Sequence, residues 1–205
     1  MVTARYHSLV RRLLDPLARS LSRAGVPPSA VTLTGLLLVW ASCLVVVLTK
    51  RRLMFCGLVT VSVLFDVLDG AVARAGGRVT KFGAYLDAVC DRYAEAAVIL
   101  AMAVVTGYWV VSTLVLVGVL MTSYAKARAA MEVPVANAEW PDLMERAERC
   151  LVFGVGLAAS QLIPWRPAGR DLYWWTLVLL AGLTHATVLQ RILRARGFIH
   201  ARSGR

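Results

Sequence analysis

The sequence predicts an all-α integral membrane protein, with six transmembrane helices preceded by an amphipathic juxtamembrane helix. Three observations carry this expectation. Of 205 residues, 59% are hydrophobic and the mean hydropathy is +0.66, more apolar than a soluble domain of this length. Several apolar runs reach the ~20 residues that a bilayer-spanning helix needs. Arginine and lysine flank those runs and rarely interrupt them. A single membrane domain over 1–205 is expected, with no soluble appendage of any size.

Residues 3–24 place Leu9, Leu13, Leu17 and Leu21 at i+4 spacing, with Arg11, Arg12, Arg19 and Arg23 on other faces. This reads as a helix lying on the membrane surface, within an interfacial segment 1–29, with Pro16 as a point of kinking. "GVPPSAVTLTG" then turns the chain into the bilayer. The spans are expected at 31–48, 53–75, 82–106, 110–130, 149–163 and 172–193. The fifth is expected to continue a helix already under way at Asp142. Trp165, Tyr173, Trp174 and Trp175 are expected as interface anchors before the sixth.

An even number of spans puts both termini on one side. Of the 23 Lys and Arg residues, 18 fall on that side; the other five are Lys50, Arg51, Arg52, Arg166 and Arg170. The positive-inside rule therefore places both termini in the cytoplasm of a multi-pass plasma-membrane protein. The N-terminus has no cleavable signal pattern, so the mature chain is expected to keep Met1. The net charge of +11 suits an anionic membrane surface. No nucleic-acid motif accompanies it, and nucleic acid is not an expected partner. Cys43, Cys56, Cys90 and Cys150 form no C-x-x-C pair and are expected as reduced packing residues.

The stretch "FDVLDGAVARAGGRVTKFGAYLDAVCDR", residues 65–92, breaks the apolar pattern with Asp66, Asp69, Asp87 and Asp91. Asp66, Asp69, Gly70 and Ala73 share one helical face, and Gly83, Asp87 and Asp91 share another. The intervening "RAGGRVTK" is short, so the acidic faces can meet near the cytoplasmic surface. Four ionised carboxylates there repel strongly in low dielectric. A cation must join them, and few lysines lie close in sequence. All-oxygen donors suit Mg²⁺, Mn²⁺ or Ca²⁺, and four carboxylates can share two ions. Gly70, Ala73 and Gly83 leave room for a ligand, although small residues also serve plain helix packing. Arg74, one turn from Gly70, is suited to phosphate.

The pattern Asp66-x-x-Asp69-Gly70-x-x-Ala73-Arg74, then eight residues, then Gly83-x-x-x-Asp87-x-x-x-Asp91 resembles the signature of the CDP-alcohol phosphotransferase family. It has eight fixed identities over 26 residues. The resemblance extends to the six-span layout, the juxtamembrane helix and "PPSAVTLTG". It implies transfer of the phosphoryl-alcohol part of a CDP-linked alcohol, usually CDP-diacylglycerol, to a second alcohol with release of CMP. It also implies that Asp66, Asp69 and Asp87 hold two Mg²⁺ or Mn²⁺ ions, with Asp91 reaching the metals and acting as general base. Gly70, Ala73, Arg74, Gly83 and Thr32 are then the residues for the cytidine diphosphate group. A homodimer is expected from the family alone.

For the acceptor, Lys126, Arg149 and Arg191 come from three helices, each near the point where an apolar run meets water. Such a cluster suits an acceptor that carries a phosphate. The alternative is solvated helix ends, the reading taken for Arg146, Arg194 and Arg196. "SYAKARA…ERAER" resembles the branch that makes phosphatidylinositol phosphate, or its archaeal ether-lipid counterpart, from inositol phosphate. There the positions of Lys126, Arg149 and Arg191 bind inositol phosphate. That branch usually has a Gly-rich loop and "ERPER"; here the chain has "VPVANAEWPDLMERAER", and Glu95 stands where aspartate is common. Glycerol phosphate, giving phosphatidylglycerol phosphate, is the rival acceptor. Outside enzymes, the alternatives are a membrane cation transporter and an inactive scaffold. The acids cluster at one face instead of lining a path, and a scaffold has no need of all four.

Overall fold

The structure, a computed structural model, describes residues 14–132 and 143–203. Among these residues there are helices and no strand. They are α1 (residues 14–23), α2 (Pro28–Thr49), α3 (Arg52–Ala75), α4 (Lys81–Thr106), α5 (Trp109–Glu132), α6 (Arg146–Leu162) and α7 (Leu172–Ser203), with one 3₁₀ turn at Pro167–Gly169. The chain divides into two compact units, 1–101 and 102–205.

Local sequence explains each boundary. Pro28 occupies the first turn of α2, where a missing N–H costs nothing. The helix ends at Lys50, whose left-handed backbone lets its N–H reach Val46 O. Gly77, at φ +61, closes α3 in the short turn to α4, and Arg78 N–H donates back to Ala73 O at 2.9 Å. Thr80 caps α4, its hydroxyl accepting from the Gly83 N–H at 2.9 Å. Glu148 reaches back to the Glu145 N–H at 2.9 Å at the start of α6, and Asp171 accepts from the Trp174 N–H at 2.9 Å at the start of α7.

Four helices, α2, α3, α5 and α7, are long and apolar enough to cross a membrane. The 17 residues of α6 extend about 25 Å, short of the ~30 Å hydrocarbon core. The first fifteen residues of α4 carry Lys81, Asp87, Asp91, Arg92 and Glu95.

In the first unit, α2 packs on α3. The buried face of α2 consists of Val31, Thr32, Gly35, Val39, Ser42, Cys43 and Val46, while Leu37, Leu44 and Leu48 are 61%, 61% and 72% exposed. Small and hydroxylated residues inside with leucines outside is the arrangement of a helix pair in lipid. A Cβ on Gly35 would lie 3.2 Å from Phe65 Cβ, so the glycine sets the α2–α3 approach. Ala18 of α1 is buried against Val31, Leu68, Ala71 and Val72, flanked by Leu14 and Leu21. The packed stripe of α1 is thus Leu14–Ala18–Leu21, and Leu17 lies largely exposed outside it. Pro16 lies within the helical residues. Leu9, Leu13, Arg11 and Arg12 lie outside the described residues.

In the second unit, α5 and α6 each pack on α7. A Cβ on Gly118 would collide with Thr184, and one on Gly156 with Thr176. Two expectations are corrected here. Tyr173 is fully buried, edge-on to Phe153 at 5.7 Å, so it is core and not an interface anchor. The α6 helix starts at Arg146, after a bend at Leu143–Met144; Asp142 lies outside the described residues. The last helix outruns its apolar stretch by a further ten residues, to Ser203.

The glycine contacts carry a stability prediction. Gly118→Ala should lower thermal stability in detergent by about 1–3 kcal/mol, as overpacking does. Gly57→Ala, where nothing lies within 4 Å, should be neutral or slightly stabilising. Equal melting temperatures for the two variants would remove close α5–α7 approach as a determinant of stability.

Candidate active site

The 3.6-residue period sets Asp66 and Asp69 on one side of α3, and Asp87 and Asp91 one turn apart on α4. The turn between these helices brings one oxygen each of Asp66, Asp87 and Asp91 within 4.8 Å of one another. All three are half-buried. Asp69 is more deeply buried, at 6% exposure. Its Oδ2 accepts a hydrogen bond of 2.5 Å from Thr32 Oγ1 on α2. The charges of Asp66 and Asp87 also act on this carboxylate.

Two basic side chains border the acids. Arg92 Nη1 pairs with Glu95 at 2.9 Å, and Nη2 stands 3.6 Å from Asp91. Arg74 folds back over Gly70: a Cβ there would lie 3.2 Å from Arg74 Nη1. The absent side chain at Gly70 therefore lets a guanidinium lie along the helix one turn from two acids. Ala73 is half-buried on the same face. Gly83 adjoins the Thr80 cap, and a Cβ there would approach the threonine hydroxyl at 3.1 Å.

Converging carboxylates offer hard oxygen donors to a divalent cation, and the Asp66–Asp87–Asp91 group fits one. Asp69, with one oxygen engaged by Thr32, has a different environment from the other three. The family resemblance groups Asp69 with Asp66 and Asp87 as metal ligands, sets Asp91 apart as general base, and ties Thr32 to the cytidine group. No local pattern signals the Thr32–Asp69 contact, because the partners are 37 residues apart. The Thr80 cap was legible in principle, from a threonine three residues before Gly83.

In the second unit, Arg149 and Arg191 are each 6% exposed. Arg191 Nη1 donates to the Thr122 carbonyl of α5, one turn before half-buried Lys126. Arg149 Nη1 reaches the Met144 carbonyl at 3.4 Å. Leu143 N–H donates to the side chain of Gln190 at 2.9 Å, tying the entry to α6 to the turn of α7 that carries Arg191. By contrast, Arg196 is exposed, and Arg146 and Arg194 are half-buried.

This fold and these acids define a class, and the comparison with known proteins agrees. The model of the CDP-alcohol phosphatidyltransferase family matches residues 26–186. The chain belongs to that family and is a membrane transferase of phospholipid biosynthesis. Among its relatives, the phosphatidylinositol phosphate synthase of Mycobacterium marinum is 37% identical over 182 residues, covering 84% of this chain and 76% of that protein. The archaetidylinositol phosphate synthase of Methanothermobacter thermautotrophicus is 33% identical over 194 residues, covering 92% and 91%. The crystal structure of Mycobacterium tuberculosis phosphatidylinositol phosphate synthase with CDP-DAG bound superimposes with a TM-score of 0.79 at 31% identity, covering 90% of this chain and 94% of that one. The same enzyme, solved in complex with manganese and citrate, gives a TM-score of 0.76 at 30% identity, covering 89% and 88%.

The aspartate geometry carries a prediction. Asp66→Asn, Asp87→Asn and Asp91→Asn should each reduce CMP release from CDP-diacylglycerol to background. EDTA should do the same to the parent chain, with recovery on adding Mg²⁺ or Mn²⁺. Full turnover in EDTA would rule out a metal role for the cluster.

Proposed function

We propose that this chain transfers the phosphatidyl group of CDP-diacylglycerol, or an ether-lipid analogue, to the hydroxyl of a phosphorylated polyol, releasing CMP. Inositol phosphate is the proposed acceptor, giving phosphatidylinositol phosphate. The observation that carries the acceptor is the deep burial of Arg149 and Arg191. Solvated helix-end arginines would be exposed, whereas buried guanidinium groups suit a multiply charged ligand. The names of the relatives, phosphatidylinositol and archaetidylinositol phosphate synthases, support the same choice.

In this reading Asp66, Asp69, Asp87 and Asp91 hold two Mg²⁺ or Mn²⁺ ions. When bound, the ions neutralise the pyrophosphate and stabilise departing CMP. Arg74, lying over Gly70, orients a donor phosphate, and Thr32, Ala73 and Gly83 border the cytidine diphosphate. Asp91 takes the proton of the acceptor hydroxyl. That oxygen forms a bond to the phosphorus bearing diacylglycerol, the bond from this phosphorus to the CMP oxygen breaks, and CMP leaves with the electron pair. Lys126, Arg149 and Arg191 hold the acceptor phosphate. We further propose six spans, with α4 and α6 completing the four apolar ones, both termini and the site in the cytoplasm of the plasma membrane, and a homodimer.

The test is an acceptor screen combined with two substitutions. A charge-assisted contact is worth roughly 1.5–3 kcal/mol, or about ten- to a hundred-fold in affinity. Arg149→Ala and Arg191→Ala should raise the acceptor KM by about that factor and leave the donor KM nearly unchanged. Preference for glycerol phosphate would replace the acceptor and keep the pocket. Equal turnover of free inositol or serine would refute a phosphate pocket altogether.

A further inference from the structure

Hydroxyls within these helices have a regular habit. Thr34, Ser42 and Thr49 of α2 each donate to the carbonyl four residues back at 2.7 Å. In an apolar layer a hydroxyl needs an acceptor, and the preceding turn offers the nearest. Thr32 departs from this. Its Oγ1 is 3.2 Å from the Pro28 carbonyl and 2.5 Å from Asp69 Oδ2. A hydroxyl carries one proton, and the short distance to the carboxylate is that of a charge-assisted bond. Both residues are buried, Thr32 at 9% and Asp69 at 6% exposure. An ionised carboxylate at that depth needs such a donor.

We propose that Thr32 is a positioning residue for the metal site, acting through Asp69. Its hydroxyl fixes the carboxylate by engaging Oδ2, and Oδ1 is the oxygen we assign to the cation. The contact also couples α2 to the acidic face of α3, so the metal site depends on a helix that contributes no acid to it. Removing the hydroxyl frees the carboxylate to rotate and leaves a buried charge short of a donor. Each effect weakens cation binding before any chemistry takes place. This inference rests on the metal reading of the aspartates given above.

The test is a Mn²⁺ titration of the full chain in detergent after EDTA treatment, followed by the paramagnetic resonance signal of free Mn²⁺. Thr32→Val keeps the shape and removes the hydroxyl; Thr32→Ser keeps the hydroxyl; Thr32→Ala stands in if the valine variant does not fold. Loss of a charge-assisted bond to a buried carboxylate should raise the Mn²⁺ Kd about ten-fold or more in the valine and alanine variants. The serine variant should bind as the parent does. A purely structural role would lower the melting temperature and leave the Kd of the folded protein unchanged, which overturns the proposal. So would a normal Kd in the valine variant with a raised KM for CDP-diacylglycerol, since Thr32 would then serve the donor directly. A serine variant as weak as valine would also overturn it. If the parent chain binds no Mn²⁺, the metal reading itself fails, an outcome distinct from the others.

Discussion

A carboxylate among apolar helices is tolerated only when other groups answer its charge, and this constraint organises the first unit. Asp66, Asp87 and Asp91 approach within 4.8 Å, a spacing that like charges resist unless a cation joins them. The surrounding choices keep that spacing possible. Gly77 and the Thr80 cap close the turn between α3 and α4. Gly70 makes space for the Arg74 guanidinium to fold back along α3. Thr32, 3.2 Å from its own helix's Pro28 carbonyl, makes its shorter contact with Asp69.

The same apolar setting shapes the scaffold. Lipid tails are as apolar as leucine, so burying leucine brings no advantage over exposing it, and close backbone approach becomes the means of association. Gly35 against Phe65, Gly118 against Thr184 and Gly156 against Thr176 follow from that. The arginines of the second unit obey the converse rule. Arg149 and Arg191 are buried, and each donates to a backbone carbonyl, of Met144 and Thr122 respectively. These contacts hold the guanidinium groups in place and answer part of the cost of burying them.

Features governed by helical period were legible in the sequence. The aspartate faces, the boundaries of α2 to α5 and the family signature depend on residues a few positions apart, where geometry is nearly fixed. Features that depend on which neighbour a side chain meets were not. Tyr173 looks like an interface aromatic by composition, yet it packs on Phe153 in the core. Leu17 belongs to the i+4 leucine series, yet Ala18 is the buried residue, because a small side chain lets α1 approach Leu68, Ala71 and Val72. Thr32 lies in an ordinary apolar helix, and only the α2–α3 pairing reveals its partner.

Arg92 illustrates how a buried acid keeps its charge available beside a cation. Its guanidinium is 2.9 Å from Glu95 and 3.6 Å from Asp91. The Glu95 contact is a close ion pair one turn along the helix, whereas the Asp91 approach is longer, beyond ordinary hydrogen-bond length. Glu95 thus draws the guanidinium toward itself. Asp91 receives part of the stabilising field. The Glu95 side chain has the reach to make that pairing from the next turn. The division of Arg92 between two acids lets a single cation lower the repulsion among the aspartates on the same stretch of helix.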